Sequence, residues 1–110
     1  TQAFSPTTLT REGETRHLAW SGEIVAANAP DVWSLTEEHL RTFAAHQVTL
    51  VVIDLSHLRF IDSSGAALMV RLKKMTTVLG LQILFCQPQP NICNVLRLTR
   101  LEHLLLEGGQ

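Results

Sequence analysis

The chain has 110 residues, of which 45% are hydrophobic and 17% are charged, and its formal net charge is -1. This composition predicts one ordinary globular domain, and a chain of this length can bury about 60–70% of its unfolded surface. The near-neutral charge argues against nucleic acid as the main partner, because binding to phosphates needs an excess of basic residues. No run approaches the roughly 18 apolar residues of a membrane span and no signal peptide is visible, so we expect a cytoplasmic domain without direct membrane insertion.

The cysteines and histidines do not predict a metal site. Cys86 and Cys93 each lie in an apolar neighbourhood, which favours free buried thiols in a reducing cytosol over a disulfide. The histidine pair that could share a helix face, His39 and His46, would be separated by about 10 Å along the helix axis, too far to share one ion. We therefore expect neither a metal nor a cofactor.

The first half of the chain predicts a hairpin, a helix and a buried strand. Residues 7–10 and 15–21 are strand candidates joined by a turn, which predicts an antiparallel hairpin at a sheet edge. Pro30 suits the first turn of a helix that could be capped by Asn28 and should end near residues 46–47. The β-branched run at 48–54 then predicts a central strand, buried on both faces, that breaks at Ser56-His57.

The second half predicts a helix, a strand and a short helix. A helix follows Ser64 with an apolar stripe, ends at Gly80, and carries Arg71, Lys73 and Lys74 in its second half. The favoured interpretation of these basic residues is a solvated helix end that complements the helix dipole. Residues 81–86 predict a buried strand and 91–99 a short helix. Residues 101–106 are compatible with either a last strand or a last helical turn.

This alternation predicts an α/β domain. Helical crossovers between strands make the central strands parallel, with right-handed connections. With the N-terminal antiparallel hairpin added at its edge, the sheet is predicted to be mixed.

The most informative stretch is Asp62-Ser63-Ser64-Gly65, which follows the apolar run directly and precedes a helical pattern. A helix start presents unpaired backbone N–H groups and a partial positive charge, so it can hold an anion. Two hydroxyl groups beside a glycine make a plausible phosphoacceptor or anion-binding turn. Simple capping of the helix, by Asp62 or the serines, explains the same residues and by residue type alone is the favoured interpretation.

Residues 49–70, with strand, loop, Phe60-Ile61-Asp62-Ser63-Ser64-Gly65 and helix, resemble the signature of the STAS family. That family includes bacterial anti-sigma factor antagonists and the cytosolic domains of sulfate transporters. The resemblance extends more weakly over 7–107, since residues 20–24 are similar to the first turn of the family. It leaves 1–6 as a flexible lead-in and 108–110 as a tail. It implies a mixed sheet with the helices packed largely on one face.

The resemblance also implies a function and a site. In the antagonists, the serine directly after the aspartate is phosphorylated, which here is Ser63, with Ser64 as the second choice. The partner would be an anti-sigma factor or serine kinase, and phosphorylation would switch its binding off. We expect the contact surface to comprise the 58–65 loop and the start of the next helix, namely Leu58, Arg59, Asp62, Ser63, Ser64, Gly65 and Met69. Phe60 and Ile61 are expected to pack beneath that helix, and a Cβ at Gly65 to hinder a partner's approach.

One departure from the family favours a second function. The antagonists usually carry an aspartate shortly after the first Gly-Glu turn, whereas Gly22-Glu23-Ile24 is followed here by Val25. A valine cannot hydrogen-bond a phosphate or bind a metal. The alternative is a STAS accessory or regulatory domain of a transporter complex or of a larger multidomain protein, without phosphorylation.

An enzyme is the third class considered. A hydrolase needs a nucleophile with a base and an orienting group, and Ser63 with His57 and Asp54 is the only local set. The Gly-x-Ser-x-Gly elbow is missing, and a domain of this size offers little room for a closed pocket. We therefore expect a non-enzymatic protein.

Overall fold

The structure is a computed structural model, and it describes residues 14–105. Strands and helices alternate in the order β1 Glu14–Ile24, α1 Ala29–Ala45, β2 Val48–Ile61, α2 Ser63–Leu79, β3 Gln82–Cys86 and α3 Pro90–Leu98. Residues 103–105 are again helical, which decides the ambiguity at this point in favour of helix. The predicted lead-in, the tail and the first strand of the predicted hairpin lie outside the described residues.

The sheet of the described residues has three strands in the order β1-β2-β3, and both pairings are parallel. Within residues 14–105 the sheet is therefore all parallel, and the prediction of a mixed sheet with an antiparallel hairpin is wrong for these residues. β1 runs beside β2 from the Glu14–Val48 pair to the Ile24–Ile61 pair. Helix α1 returns the chain to the start of the sheet between these strands, and a helical crossover of this kind makes neighbouring strands parallel.

The helices share one core with the inner face of the sheet. Leu18, Ile53 and Phe85 are aligned partners across the three strands, and each is at most 2% exposed. Trp20 lies fully buried with its ring centroid 6.1 Å from that of Phe85. Both crossovers advance across the sheet in the same direction, so right-handed connections place α1 and α2 on the same face, where they contact each other.

Strand β2 is longer than the sequence predicted. It continues through Ser56-His57 to Ile61, with Leu55, Leu58 and Ile61 buried and His57 exposed. Its register with β1 shifts at three places, so β2 carries extra residues relative to its partner. Each shift adds one residue to β2 relative to β1, as a β-bulge does.

The start and end of α1 and the end of α2 lie within one or two residues of their predicted positions. Pro30 lies in the first turn of α1, and α1 ends at Ala45, one residue before the predicted end. Asn28 occupies the N-cap position, but its side chain does not cap the helix. Its Oδ1 accepts the N–H of Val25 at 2.8 Å, and its Nδ2 donates to the Glu23 carbonyl. Gly80 ends α2 with φ 79°, a left-handed conformation that favours glycine.

Candidate functional site

The candidate site lies where the carboxyl ends of β1 and β2 meet the first turn of α2. Ile24 and Ile61 are the last paired residues of the two strands, and the Asp62 N–H donates to the Ile24 carbonyl at 3.3 Å. In parallel sheets the loops beyond the carboxyl ends of the strands commonly bind ligands. The sequence motif around Ser63 is thus at the edge of the sheet where binding sites form.

The Asp62 carboxylate joins three segments of backbone at this edge. Its Oδ1 accepts the N–H of Ser64 at 2.8 Å and that of Gly65 at 3.2 Å, while its Oδ2 accepts the N–H of Ala26 at 3.1 Å. The first two bonds cap α2, as the capping interpretation of the motif requires. The third fixes the loop between β1 and α1 against the start of α2, and nothing in the sequence predicts it.

These hydrogen bonds determine the ionisation of Asp62. Desolvation raises the pKa of its carboxyl, but the backbone N–H groups of Ala26, Gly65 and Ser64 stabilise the charged form and together outweigh that effect. The net pKa therefore lies below the ordinary value of 3.8. A group with a lowered folded pKa contributes stability above its ordinary pKa and loses it as the pH falls through the folded pKa.

Replacement of Asp62 by alanine should lower the thermal unfolding midpoint by several degrees at neutral pH, because three backbone N–H groups lose their acceptor. The difference from the unmodified protein should shrink as the pH falls below about 4, where the unfolded chain takes up its proton first, and it should vanish once the pH passes below the lowered pKa of the folded carboxyl. Circular dichroism melts between pH 7 and 2.5 measure this. Asp31→Ala removes an exposed carboxylate from the first turn of α1 and controls for the change in net charge. A constant difference at all pH values would contradict the assignment.

The two serines of the motif differ in exposure. Ser63 is exposed and is the first residue of α2, whereas Ser64 is partly buried and donates its N–H to Asp62. A kinase needs access to the hydroxyl group that it modifies. Exposure therefore favours Ser63 over Ser64 as the residue that a kinase could modify. The family resemblance implies the same preference.

Gly65 has a structural role different from the one expected. A Cβ at this position would lie 2.7 Å from the Ile61 Cβ and 2.8 Å from the Ile24 carbonyl oxygen, and Gly65 itself is buried. The space that glycine leaves is therefore filled by the protein's own sheet and not by a partner. Gly65 lets the first turn of α2 pack directly against the ends of β1 and β2.

Two other residues of the predicted contact surface lie in the core. Leu58 and Met69 are both 0% exposed, so no partner can touch them in this structure, and we remove them from the predicted surface. Leu58 belongs to β2 rather than to a loop, and Met69 is on the side of α2 that faces the sheet. Arg59 remains exposed, as expected of a contact residue.

Phe60 is a surface residue that the sequence analysis missed. It is 43% exposed, while the neighbouring Ile61 is 1% exposed, so the expectation that both pack beneath the helix is correct only for Ile61. The register between β1 and β2 shifts from the Gly22–Leu58 pair to the Glu23–Phe60 pair. The extra residue in β2 breaks the alternation and places Phe60 outward, an effect that strand periodicity does not reveal.

A groove between α1 and α2 begins beside the motif. It has a volume of about 340 Å³ and is lined by Ala26, Ala29, Pro30, Trp33, Ser64, Ala67, Leu68 and Arg71. The Arg71 guanidinium carbon lies 4.1 Å from the centre of the Trp33 ring, which makes a cation–π contact. The sequence predicts only a solvated helix end for Arg71 and not this contact with Trp33. Arg71 follows Ser64 by seven residues, and this spacing in the sequence indicates that the two residues share one face of the helix.

The possible hydrolase residues do not form a catalytic arrangement in the contacts of the structure. The His57 Nδ1 lies 3.2 Å from the Ser56 Oγ, and the Asp54 Oδ1 accepts the Ser56 N–H at 2.9 Å. Neither contact involves Ser63. Within residues 14–105, no cluster of three or more His, Cys, Asp or Glu side chains could hold a metal ion, and no helix is both long and apolar enough to cross a membrane.

Fold and site together define an α/β domain in which an Asp-Ser-Ser-Gly turn starts a helix at the carboxyl edge of a parallel sheet. The STAS domain family model matches residues 7–107, and the chain belongs to this family. The match spans the predicted domain. No curated protein sequence matches the chain at a significant level.

Solved structures show the same fold. The anti-sigma factor antagonist SpoIIAA in its unphosphorylated form has a TM-score of 0.69 and 20% identity, over 93% of this chain and 84% of that one. The Bacillus cell fate determinant SpoIIAA in its phosphorylated form has a TM-score of 0.61 and 21% identity, over 93% and 87%. SLC26A9 has a TM-score of 0.66 and 10% identity, over 87% of this chain and 17% of that much longer one. These identities support similarity of fold alone.

Proposed function

We propose that this chain is a non-enzymatic regulatory domain that binds a partner protein at the start of α2 and is switched by phosphorylation of Ser63. The observation that supports the proposal best is the exposure of Ser63 beside the rigid Asp62 cap. Phe60 and Arg59 are exposed three and four residues earlier. Aromatic residues, phenylalanine among them, and arginine are enriched at protein interfaces relative to the rest of the surface.

The geometry explains why a phosphate would act as a switch. The Asp62 Oδ1 already accepts the N–H groups of Ser64 and Gly65, so these donors at the helix start are occupied. A phosphate on Ser63 adds a charge of about −2 beside a carboxylate that repels it. Because of this repulsion and these occupied donors, we expect the phosphate to extend outward, toward the partner. A partner surface that fits a neutral hydroxyl loses affinity when it must bury such a charge unpaired.

The family supports the nature of the partner. Both the unphosphorylated and the phosphorylated form of SpoIIAA share this fold, and SpoIIAA is named as an anti-sigma factor antagonist. By that likeness, the partner of this chain is an anti-sigma factor that also acts as a serine kinase. The complex forms in the cytoplasm while Ser63 is unphosphorylated.

Val25 favours a second candidate function. It lies in the loop after β1, where its N–H donates to the Asn28 Oδ1, and its side chain offers no hydrogen bond to a phosphate. An accessory or regulatory STAS domain of a transporter complex, or of a larger protein, needs the same binding surface but no kinase. In that case Ser63 serves only to start α2.

Phosphosite mapping separates these two functions. Mass spectrometry of the protein isolated from its host should find phosphate at Ser63, and the Ser63→Ala variant should carry none. Ser64→Ala is the matched control, and it should keep the phosphate at Ser63. Absence of phosphate under all growth conditions would refute the switch and leave the constitutive docking domain. Phosphate at Ser64 instead would contradict the choice of serine.

A further inference from the structure

The groove between α1 and α2 carries charge of one sign. Arg71 is the only charged residue among those that line it. All charged residues of α2 are basic, namely Arg71, Lys73 and Lys74. The nearest carboxylates along the chain are those of Asp62, both of whose oxygens accept backbone N–H groups, and of Asp31, which is exposed and directly follows the lining residue Pro30. The α2 side of the groove is therefore the basic side, and Arg71 places a positive charge within the groove.

Arg71 is held in a position that suits carboxylate binding. Its guanidinium stacks on the Trp33 ring at 4.1 Å, and no salt bridge to a carboxylate is formed by it in the described part of the chain. Stacking uses the flat face of the guanidinium and leaves the N–H donors at its edge for an acceptor. An arginine fixed in this way loses less conformational entropy on binding than a free one, and it can bind a carboxylate through two hydrogen bonds.

The rest of the groove is apolar and open. Alanine, proline, tryptophan and leucine side chains form most of its lining, and Ala26, Pro30, Ala67 and Arg71 are exposed to solvent. Small-molecule sites normally bury 70–90% of their ligand, roughly, which a shallow groove between two helices does not do. An apolar side chain on a segment of another protein fits such a groove, as amphipathic helices do elsewhere.

From these features we propose that the groove is the docking site for an acidic segment of the partner protein. An apolar side chain of that segment enters the groove beside Trp33 and Leu68, and a carboxylate near it binds the edge of the Arg71 guanidinium. This inference rests on the proposed function, because the groove begins at Ser64 and continues the surface around Ser63. The inference also predicts that phosphorylation weakens binding, since a phosphate at Ser63 would repel the acidic segment.

Site-specific photo-crosslinking of the full chain in its host cell tests the inference. A leucine-sized diazirine amino acid at position 67 probes the groove, and a photoreactive phenylalanine analogue at position 60 probes the neighbouring surface. We expect the adduct from position 67 to map by mass spectrometry to a partner segment with Asp or Glu within four residues of the crosslinked apolar residue. Arg71→Glu should reduce this adduct by about tenfold or more, because like charges then face each other.

Matched variants keep the test decisive. Arg97→Glu makes the same charge change at an exposed position of α3, outside the groove, and should leave the adduct within about twofold, as expected for a peripheral charge. Arg71→Gln removes the charge but keeps much of the side chain, and it should also reduce the adduct. This variant replaces Arg71→Glu in the test if Arg71→Glu fails to fold. Changing the partner's acidic residue to arginine should restore crosslinking to Arg71→Glu.

The remaining outcomes distinguish failure of the groove proposal from failure of the proposed function as a protein-binding domain. A crosslinked segment without acidic residues, or an adduct with a lipid or small metabolite, would overturn the acidic-segment inference. An adduct from position 60 with none from position 67 would overturn the groove and leave the interaction domain intact. No protein adduct from either position would contradict both proposals.

Discussion

The Gly65→Ala variant should lose about 3 kcal/mol of folding free energy and melt about 10–15 °C lower. The added Cβ would lie 2.7 Å from the Ile61 Cβ and 2.8 Å from the Ile24 carbonyl oxygen, closer than such atoms approach. Neither obstacle is the end of a flexible side chain. Relief requires α2 to move away from the ends of β1 and β2, which would separate Asp62 from the Ala26 N–H as well. Thermal and urea unfolding of the purified protein measure the loss.

Gly80→Ala is the matched control for this prediction. Gly80 has a left-handed φ of 79°, but an added Cβ would meet no atom within 4 Å. The substitution therefore introduces only backbone strain, which costs about 1 kcal/mol. Equal melting temperatures for the two variants would show that the close contact at Gly65 is absent in solution.

Ser63→Glu should weaken binding of the partner about 30-fold, which corresponds to about 2 kcal/mol, if Ser63 lies within the interface. The glutamate brings a negative charge to the first position of α2, where it faces the partner and not the occupied backbone donors. Stability should change little, because an acidic side chain near a helix N-terminus is favourable to the dipole while Asp62 repels it. Titration calorimetry with the partner captured through position 60 gives the affinity, and a melt of the variant gives the stability.

Two comparisons make the Ser63→Glu result specific. Thr77→Glu adds the same charge at an exposed hydroxyl residue in the last turn of α2, about 21 Å along the helix axis from Ser63, and it should leave affinity within about twofold, as distant surface charges do. Ser63→Ala should bind as well as the unmodified chain. Equal affinities for Ser63→Glu and Thr77→Glu would place Ser63 outside the interface and contradict the proposed switch.

The packing at Gly65 and the cap at Asp62 explain why Ser63 has a defined position. Gly65 brings the first turn of α2 against the strand ends, and Asp62 joins that turn to the loop after β1. Ser63 lies between these two fixed residues and is itself exposed. A partner that binds here, as proposed, would meet a preorganised surface, which lowers the entropic cost of binding. A phosphate on Ser63 would change the charge of that surface without having to unfold it.

The sequence by itself determined those features that depend on neighbouring residues. Asp62-Ser63-Ser64-Gly65 starts a helix because the Asp62 side chain accepts local backbone N–H groups, and Gly80 ends the helix because its own conformation is left-handed. The alternation of strand and helix predicted the α/β class, and the family resemblance pointed to the correct family.

Only the tertiary structure decided which residues face solvent at the site. The parallel pairing of β1 with β2 depends on a partner strand more than 30 residues away in sequence, and the apolar pattern of β1 does not specify its direction. The bulge opposite Glu23 turned Phe60 outward, and the same pairing buried Leu58 in a strand that had been predicted to be a loop. Arg71 and Trp33 meet across two helices. Such contacts join residues that are distant in sequence, so local propensity and periodicity carry no information about them.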